Sequence, residues 1–187
     1  GEYAFAGSGV TSINMEGTSV TIIDKYAFSN CTSLSTITLP NSLTGTIGEY
    51  AFAGSGVTSI NMYNTSVTII AKYAFSECSQ LTTLYFSVPL QRIEEYAFFN
   101  CNNIRSPTNS AIIMWRYCKY VGRGAFQSNW NNTNIKAFWF YSYYSSPSSL
   151  VLWPDWNYGR NIDYLGVRKD ILNLLDSRVL PNTAVLG

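Results

Sequence analysis

Residues 1–15 read GEYAFAGSGVTSINM, and residues 48–62 repeat the same letters without a change. The two copies therefore begin 47 positions apart. Self-similarity at a fixed spacing of about 20–50 residues is typical of repeat architectures, in which each unit buries its apolar face only against its neighbours. This repeated stretch predicts a solenoid.

The basic unit is half of that spacing. Ala-Phe pairs recur at Ala4-Phe5, Ala27-Phe28, Ala51-Phe52, Ala74-Phe75, Ala97-Phe98 and Ala125-Phe126, so successive pairs lie 23, 24, 23, 23 and 28 positions apart. The first two spacings, 23 and 24, add up to the 47 positions that separate the two copies. We therefore expect a β-rich solenoid of about 23 positions per coil, with five to six coils over residues 1–140.

Each unit carries the apolar pattern L-x-x-I-x-L, formed in the second unit by Leu34, Ile37 and Leu39. The I-x-L part alternates apolar and polar residues, which predicts a strand with one buried face. A second apolar pair follows, here Leu43 and Ile47. It leads into the Tyr-Ala-Phe segment, which we expect to form a single helical turn at the bend of each coil.

The last units fit the pattern once insertions are allowed. The wider spacing before the final Ala-Phe pair places extra residues in a proline-containing loop at 105–109. After a second insertion near 129–134, one more L-x-x-I-x-L is supplied by Ile135, Phe138 and Phe140. The repeat is therefore expected to persist to about residue 140.

Residues 141–187 do not fit the unit and are assigned to a separate C-terminal segment. Residues 141–164 are rich in aromatic residues and Ser, whereas 166–178 have the spacing of an amphipathic helix, with one apolar face made of Val167, Ile171, Leu174 and Leu175. An open solenoid end exposes core and strand edges. We expect this segment to be a cap containing one α-helix, and the stack to be truncated at Gly1, inside a repeated motif.

Two neighbouring units together carry a family signature. Residues 47–52 and 31–40 combine to I-G-x-Y-A-F-x-x-C-x-x-L-x-x-I-x-L-P. This combination resembles the BspA-type leucine-rich repeats, and the resemblance covers residues 1–140. It implies a right-handed leucine-rich-repeat solenoid at the cell surface or secreted, with an adhesive role toward host matrix proteins or other cells. It implies no catalytic residues.

Composition argues against several function classes. The chain has 12 Lys and Arg against 11 Asp and Glu, so it lacks the basic surface expected of a nucleic-acid-binding protein. No stretch reaches the ~20 apolar residues of a membrane helix, so this segment is not expected to insert into a membrane. Histidine is absent, which removes the commonest general base and the commonest metal-binding side chain. We expect no enzyme activity, no cofactor and no metal site.

Three cysteines occupy the same position of their units, three residues after Phe: Cys31, Cys78 and Cys101. We expect them to face the core as small apolar side chains. Neighbouring coils stack at about 4.8 Å, which is close to the Cα separation of a disulfide, so a Cys78–Cys101 bond is left open.

The residue before each Tyr-Ala-Phe segment is charged, and the sign changes along the chain. This position holds Glu2, Lys25, Glu49, Lys72, Glu95 and Arg123. The alternation predicts a surface row of weak ion pairs, each contributing on the order of 0–1 kcal/mol.

Three N-x-S/T sequons begin at Asn30, Asn64 and Asn131. They are acceptors of N-linked glycans only in a eukaryotic secretory pathway. In a chain so rich in Asn and Thr, chance matches are the competing explanation.

The three x positions of L-x-x-I-x-L are expected to form columns of exposed residues on the stacked strands. The first two columns are mostly hydroxylic, whereas the third column reads Asn14, Thr38, Asn61, Tyr85, Ile113 and Trp139. Aromatic residues on an exposed sheet are typical of a binding hot spot. The candidate binding residues are therefore Tyr85, Ile113 and Trp139, extended by Tyr141, Tyr143 and Tyr144. The alternative is that the inserted loops or the cap bury this column.

Three functions are compatible with such a surface. The first is adhesion to a host matrix protein or another cell-surface protein through the hydroxylic face and its aromatic patch. The second is end-to-end assembly of copies of the chain into a filament or surface layer. The third is glycan binding, because Trp139, Trp153 and Trp156 can stack on sugars.

Overall fold

The computed structural model describes residues 1–104 and 117–127 with their side chains, together with the backbone of five further strands between residues 111 and 186. The regular elements in this part of the chain are short strands: β1 (Ser12–Asn14), β2 (Thr36–Thr38), β3 (Thr44–Ile47), β4 (Ser59–Asn61), β5 (Ser66–Ile70), β6 (Thr83–Tyr85), β7 (Arg92–Ile93), β8 (Ala111–Met114), β9 (Tyr120–Val121), β10 (Ala137–Phe140), β11 (Val151–Leu152), β12 (Tyr164–Val167) and β13 (Val185–Leu186).

The L-x-x-I-x-L strands form one face of the solenoid, which we call the first face. They pair in parallel as β1-β2, β4-β6 and β8-β10-β12-β13. The central Ile or Leu of β2, β4 and β6 is buried, while its two neighbours in each strand are exposed or half-buried. The alternation of apolar and polar residues therefore produces the predicted one-sided strands.

The second apolar pair of each unit lies on the opposite side of the coil. There, β3, β5, β7, β9 and β11 form a five-stranded parallel sheet, the second face. The register aligns the buried residues of successive coils, Ile47, Ile70, Ile93 and Val121. The predicted β-solenoid is confirmed, and its core lies between the two faces.

The Tyr-Ala-Phe segment is not the helical turn that the sequence predicts. Its tyrosines have φ between 54° and 56°, in the left-handed region. Short i→i−3 hydrogen bonds alternate with bonds to the next coil, such as Tyr26 N–H to the Glu49 carbonyl at 3.0 Å and Phe28 N–H to the Ala51 carbonyl at 2.7 Å. A helix would satisfy these groups locally, whereas this backbone uses half of its N–H groups to join the coils.

Two stacks of aromatic rings run through these bends. The phenylalanines stack with ring centroids 5.0–5.3 Å apart, and the tyrosines with centroids 4.7–5.2 Å apart. Each stacked pair contributes about 0.5–1.5 kcal/mol beyond the burial of its surface. This offsets the cost of about 1–3 kcal/mol for holding a non-glycine residue in a rarely populated backbone conformation.

Neighbouring coils differ in the length of two turns. From the end of the first-face strand to the second face, Met15 to Val20 and Met62 to Val67 span five positions, whereas Leu39 to Leu43 and Phe86 to Leu90 span four. The turn after Phe has the opposite alternation, five positions before Val10 and Val57 and six before Leu34 and Leu81. The two differences compensate, so the coils stay in register.

Hydrogen bonds hold both forms of the first of these turns. The long form is closed by a threonine, since Thr65 donates its hydroxyl to the Met62 carbonyl at 2.7 Å, and Thr18 does the same to Met15 at 2.7 Å. In the short form, the Ser42 hydroxyl donates to the Val20 carbonyl of the preceding coil at 2.7 Å. The threonine hydroxyl therefore bonds within its own coil in the long form, whereas the serine hydroxyl of the short form bonds to the preceding coil.

The two faces continue beyond residue 140. Strand β11 pairs in parallel with β9, β12 with β10, and β13 with β12. The prediction of a helix over 166–178 is wrong at its start, because Gly166 and Val167 lie in β12. Without β12, the edge of β10 would present unpaired backbone groups, and β12 satisfies them. Residues 168–178 lie outside the described part of the chain, and a separate cap after residue 140 stays a prediction.

Within the described residues, none of the elements is a helix of the length and hydrophobicity that a bilayer span requires.

Candidate binding face

The first face aligns the x positions of successive strands in the predicted columns. Ser12 pairs with Thr36 and Asn14 with Thr38, while the next pair of strands sets Ser59 beside Thr83 and Asn61 beside Tyr85. The columns thus follow from a parallel register without a shift. Side chains of one column lie on neighbouring coils and form a continuous surface.

The hydroxyls of the first column are already used within the chain. Each donates to the backbone carbonyl of the preceding column member, from Ser35 to Thr11 at 3.2 Å, from Thr58 to Ser35 at 3.1 Å and from Thr82 to Thr58 at 2.9 Å. A bound partner can therefore use their remaining lone pairs, while their protons stabilise the stack.

The polar members of the third column hold the end of their strands. Asn14 Oδ1 accepts a hydrogen bond from the Glu16 N–H at 2.9 Å, and Asn61 Oδ1 accepts one from the Tyr63 N–H at 3.0 Å. These short-range bonds satisfy the backbone N–H groups that follow β1 and β4. The amide nitrogens of both residues remain available.

Tyr85 is the candidate binding residue whose side chain is described, and it is exposed. Its side chain is 43% accessible, beside Asn61 in the third column. The backbone register places Ile113 of β8 directly beside Trp139 of β10. Tyr85 is thus exposed in the described part of the chain, whereas most of the inserted loops and of the segment after residue 140 lie outside the described residues.

The other members of the predicted patch are less fully described. Ile113 and Trp139 lie in strands of which only the backbone is described. Tyr141, Tyr143 and Tyr144 lie outside the described residues. The aromatic patch as a whole stays a prediction.

The cysteines face the core, as predicted. All four lie in the described part of the chain as buried free thiols, so Cys78 and Cys101 do not form a disulfide in this structure. Burial raises the pKa of Cys118 to about 12. Three of the thiols donate to the carbonyl of the phenylalanine one coil earlier, Cys31 to Phe5 at 2.9 Å, Cys78 to Phe52 at 3.0 Å and Cys101 to Phe75 at 2.9 Å.

The predicted row of ion pairs is present along the bends. Lys25 Nζ lies 3.4 Å from Glu49 Oε2, and Lys72 Nζ lies 3.2 Å from Glu95 Oε2. The Tyr120 hydroxyl donates to Glu95 Oε1 at 3.0 Å. Burial raises the pKa of Glu95, but its hydrogen bonds and the Lys72 ammonium outweigh this effect and hold that pKa below the usual value.

A recess that the sequence pattern did not predict lies at the end of strands β2 and β4. It has a volume of about 260 Å³ and is lined by Glu16, Ile37, Thr38, Leu39, Asn41, Asn61, Asn64 and Thr65. The recess opens where the short turn of the second coil lies between the long turns of the first and third coils. We call it the turn recess.

The alternating turn lengths that produce the turn recess are visible in the sequence. The alternation between four and five positions is readable from the letters, once the strand end and the second-face residue of each unit are aligned. The regular period of the units hides it, because the compensating change after Phe keeps the total nearly constant.

The solved structures that are similar to this chain include three bacterial proteins. A leucine-rich repeat protein of T. pallidum is 22% identical, over 73% of this chain and 49% of that chain, with a TM-score of 0.44. One from Bacteroides ovatus is 16% identical, over 89% and 57%, with a TM-score of 0.35. The pneumococcal vaccine antigen PcpA is 12% identical, over 99% and 70%, with a TM-score of 0.39.

This chain spans about half the length of the first two of these proteins. A search of curated protein sequences gave no significant match.

A family model described as BspA type leucine rich repeat region matches six copies over residues 1–133. The match covers the units that carry the Ala-Phe pairs and well over half of the 187 residues. Leucine-rich repeats are protein-interaction modules, and proteins built from them are typically non-enzymatic. The chain belongs to the BspA-type leucine-rich repeat family.

Proposed function

We propose that this chain is a non-enzymatic adhesion module of a surface or secreted protein, and that it binds a host matrix protein or another cell-surface protein through its first face. The observation that carries the proposal is Tyr85. An exposed ring occupies a column position that Thr38 and Asn61 fill in the preceding coils.

The chemistry of this column favours a protein partner. A tyrosine ring buries a large area at low entropic cost, and its hydroxyl can form a hydrogen bond at the rim of an interface. Binding energy in protein interfaces is concentrated in such residues, with truncation costing about 2 kcal/mol or more, roughly thirtyfold in Kd. Ile113 and Trp139, adjacent in register, extend the apolar part of the column.

The surroundings of Tyr85 complete the pattern of an interface. The first and second columns place small hydroxylic residues beside it, which allow the partner to approach closely and contribute modest polar contacts. Charged residues make up only 12% of the chain. We therefore expect affinity to depend only weakly on salt concentration, because long-range attraction contributes little.

The test compares Tyr85→Thr with the wild type on immobilised fibronectin, collagen and laminin, with surface plasmon resonance as the readout. Threonine occupies the equivalent position at Thr38, so the strand accepts it. Tyr63→Thr is the matched control, since Tyr63 is another exposed tyrosine, 52% accessible, outside the column.

For a matrix protein that the wild type binds, we expect Tyr85→Thr to raise Kd by at least tenfold and Tyr63→Thr to leave it within twofold. Trp139→Ala tests the extension of the column in the same way. Unchanged affinity in both Tyr85→Thr and Trp139→Ala would refute the proposed site.

A further inference from the structure

The turn recess presents hydrogen-bonding groups that the protein does not use. Asn61 uses its Oδ1 atom in the bond from the Tyr63 N–H, which leaves the two N–H groups of its amide free. Among the described residues, the side chains of Glu16, Asn41 and Asn64 have no hydrogen-bond partner within the chain. All four polar side chains are exposed and line one concave space.

These groups form a mixed set of donors and acceptors around a small apolar floor. Each amide both donates and accepts, and the Glu16 carboxylate accepts. Ile37 and Leu39 line the recess with the little surface they expose, each 8% accessible. Vicinal hydroxyl groups on a ring need this combination, because every hydroxyl donates and accepts while the C–H face of the ring is apolar.

Charge and size narrow the class of ligand. Glu16 is the charged residue in the lining, so the recess attracts no phosphate, sulfate or carboxylate. A volume of about 260 Å³ is slightly below the range of about 300–1,000 Å³ for pockets that enclose a whole drug-sized molecule. It suits one ring of a longer ligand whose remainder extends into solvent.

We propose that the turn recess binds a neutral saccharide, with one hexose ring seated between Glu16, Asn61 and Asn64. The Asn61 and Asn64 amides donate to ring hydroxyls, and the Glu16 carboxylate accepts from a third. The site shares Thr38 and Asn61 with the third column, but Tyr85 is not among its lining residues, and its ligand differs from that of the proposed protein interface.

Two variants remove the site by different means. Thr38→Tyr fills the recess with a side chain that this solenoid already accepts, since Tyr85 holds the equivalent position two coils later. Asn64→Ala removes one amide from an exposed turn. Tyr85→Thr is the control, because it alters the proposed protein-binding column and leaves the recess intact.

The experiment is saturation-transfer NMR on the full chain, with glucose-, galactose- and mannose-terminated neutral oligosaccharides and a sialylated one as probes. We expect transfer to at least one neutral probe, loss of transfer in Thr38→Tyr and a five- to tenfold weaker affinity in Asn64→Ala, in line with one hydrogen bond of about 1 kcal/mol. Tyr85→Thr should bind as the wild type does.

Melting temperatures of all variants show that they are folded. The proposal is overturned if the wild type binds none of the neutral probes. It is also overturned if folded Thr38→Tyr and Asn64→Ala both bind with wild-type affinity, or if the sialylated probe alone gives transfer. A failure of this kind leaves the protein-binding proposal intact, because Tyr85→Thr tests that proposal on a different ligand.

Discussion

Gly9 and Gly56 show that identical letters can meet different environments. Both occupy the ninth position of the sequence GEYAFAGSGVTSINM. A Cβ atom built on Gly56 lies 2.2 Å from the Thr32 carbonyl oxygen, whereas one built on Gly9 has nothing within 4 Å. Local sequence therefore does not decide whether glycine is required here. The coil stacked on it does.

We predict opposite results for the two alanine substitutions in this 187-residue chain. Gly56→Ala forces backbone of neighbouring coils apart and should cost at least about 1–3 kcal/mol of unfolding free energy, the usual cost of overpacking. Gly9→Ala should be neutral or stabilising by about 0.4–1 kcal/mol, because alanine restricts the unfolded chain. Urea denaturation measures both values, and equal effects would contradict the stacking shown by the structure.

The role of a single residue could be predicted where the same position of successive units repeats one chemical type. The core positions of Leu34, Phe52 and Cys78 follow from the apolar pattern alone. The hydroxyl bond from Thr58 to the Ser35 carbonyl does not, because it joins residues 23 positions apart and depends on how closely the coils approach. The sequence pattern predicts which face of the coil a side chain occupies. The hydrogen bond also depends on the distance between neighbouring coils, which the pattern does not give.

The bend segments differ most from the structure that their sequence predicts. Small and aromatic residues between two turns suggest a helical turn, yet Tyr50 and Tyr73 adopt left-handed φ angles and stack with centroids 4.9 Å apart. A tyrosine is an unusual residue for this conformation, so propensity alone argues against it. The stacking and the bonds between coils are tertiary, and they determine the conformation.

The helix predicted over 166–178 is wrong at its start for a related reason. The apolar spacing of 166–178 fits a helix, but Gly166 and Val167 pair with neighbouring strands instead. A short apolar pattern fits one face of a helix as well as one face of a strand. Whether a neighbouring strand is available for pairing cannot be read from the local sequence. The strands that belong to clear repeat units were predicted well, because six units carry the same signal.

The row of ion pairs along the bends makes stability depend on pH. The hydrogen bonds and the Lys72 ammonium that lower the pKa of Glu95 favour the ionised form in the folded state. Glu95 therefore adds stability above its unfolded pKa of about 4.5, and this stability is lost as pH falls through the lower pKa of the folded state.

We predict that Glu95→Gln reduces the loss of stability between pH 7 and pH 3. The comparison is the change in urea midpoint between these two pH values, in wild type and variant. Tyr120→Phe removes the hydroxyl that donates to Glu95 and should shift the result in the same direction by a smaller amount. If both variants lose as much stability as the wild type, the ion pair with Lys72 has no measurable role in acid unfolding.

At the scale of the whole molecule, the exact repeat after 47 positions makes the solenoid modular. Each coil contacts its neighbours, so stability is approximately a sum of coil and interface contributions. Residues 48–62 repeat residues 1–15, and a chain without residues 1–47 therefore begins with the same first bend and strand. Removing residues 16–62 gives the identical polypeptide.

We predict that the fragment 48–187 folds and unfolds cooperatively. Its melting temperature should be lower by on the order of 10 °C, because the loss of two coils removes several kcal/mol and each kcal/mol corresponds to about 2–4 °C. Circular dichroism measures the transition. Deleting residues 16–55 is the control, since it joins Met15 to Gly56 out of register, and the variant should melt below fragment 48–187 although it removes fewer residues. If the variant without residues 16–55 folds and the fragment 48–187 does not, the solenoid is not modular.

The alternation of long and short turns has a consequence for valency. A turn recess requires a short turn between two long ones, so each additional copy of the two-coil module adds one more recess along the same edge. Duplication of the module would then multiply identical weak sites at a fixed spacing, without any new contact being evolved. A polymeric ligand would gain avidity with every copy, and binding strength would be set by copy number rather than by the affinity of one site.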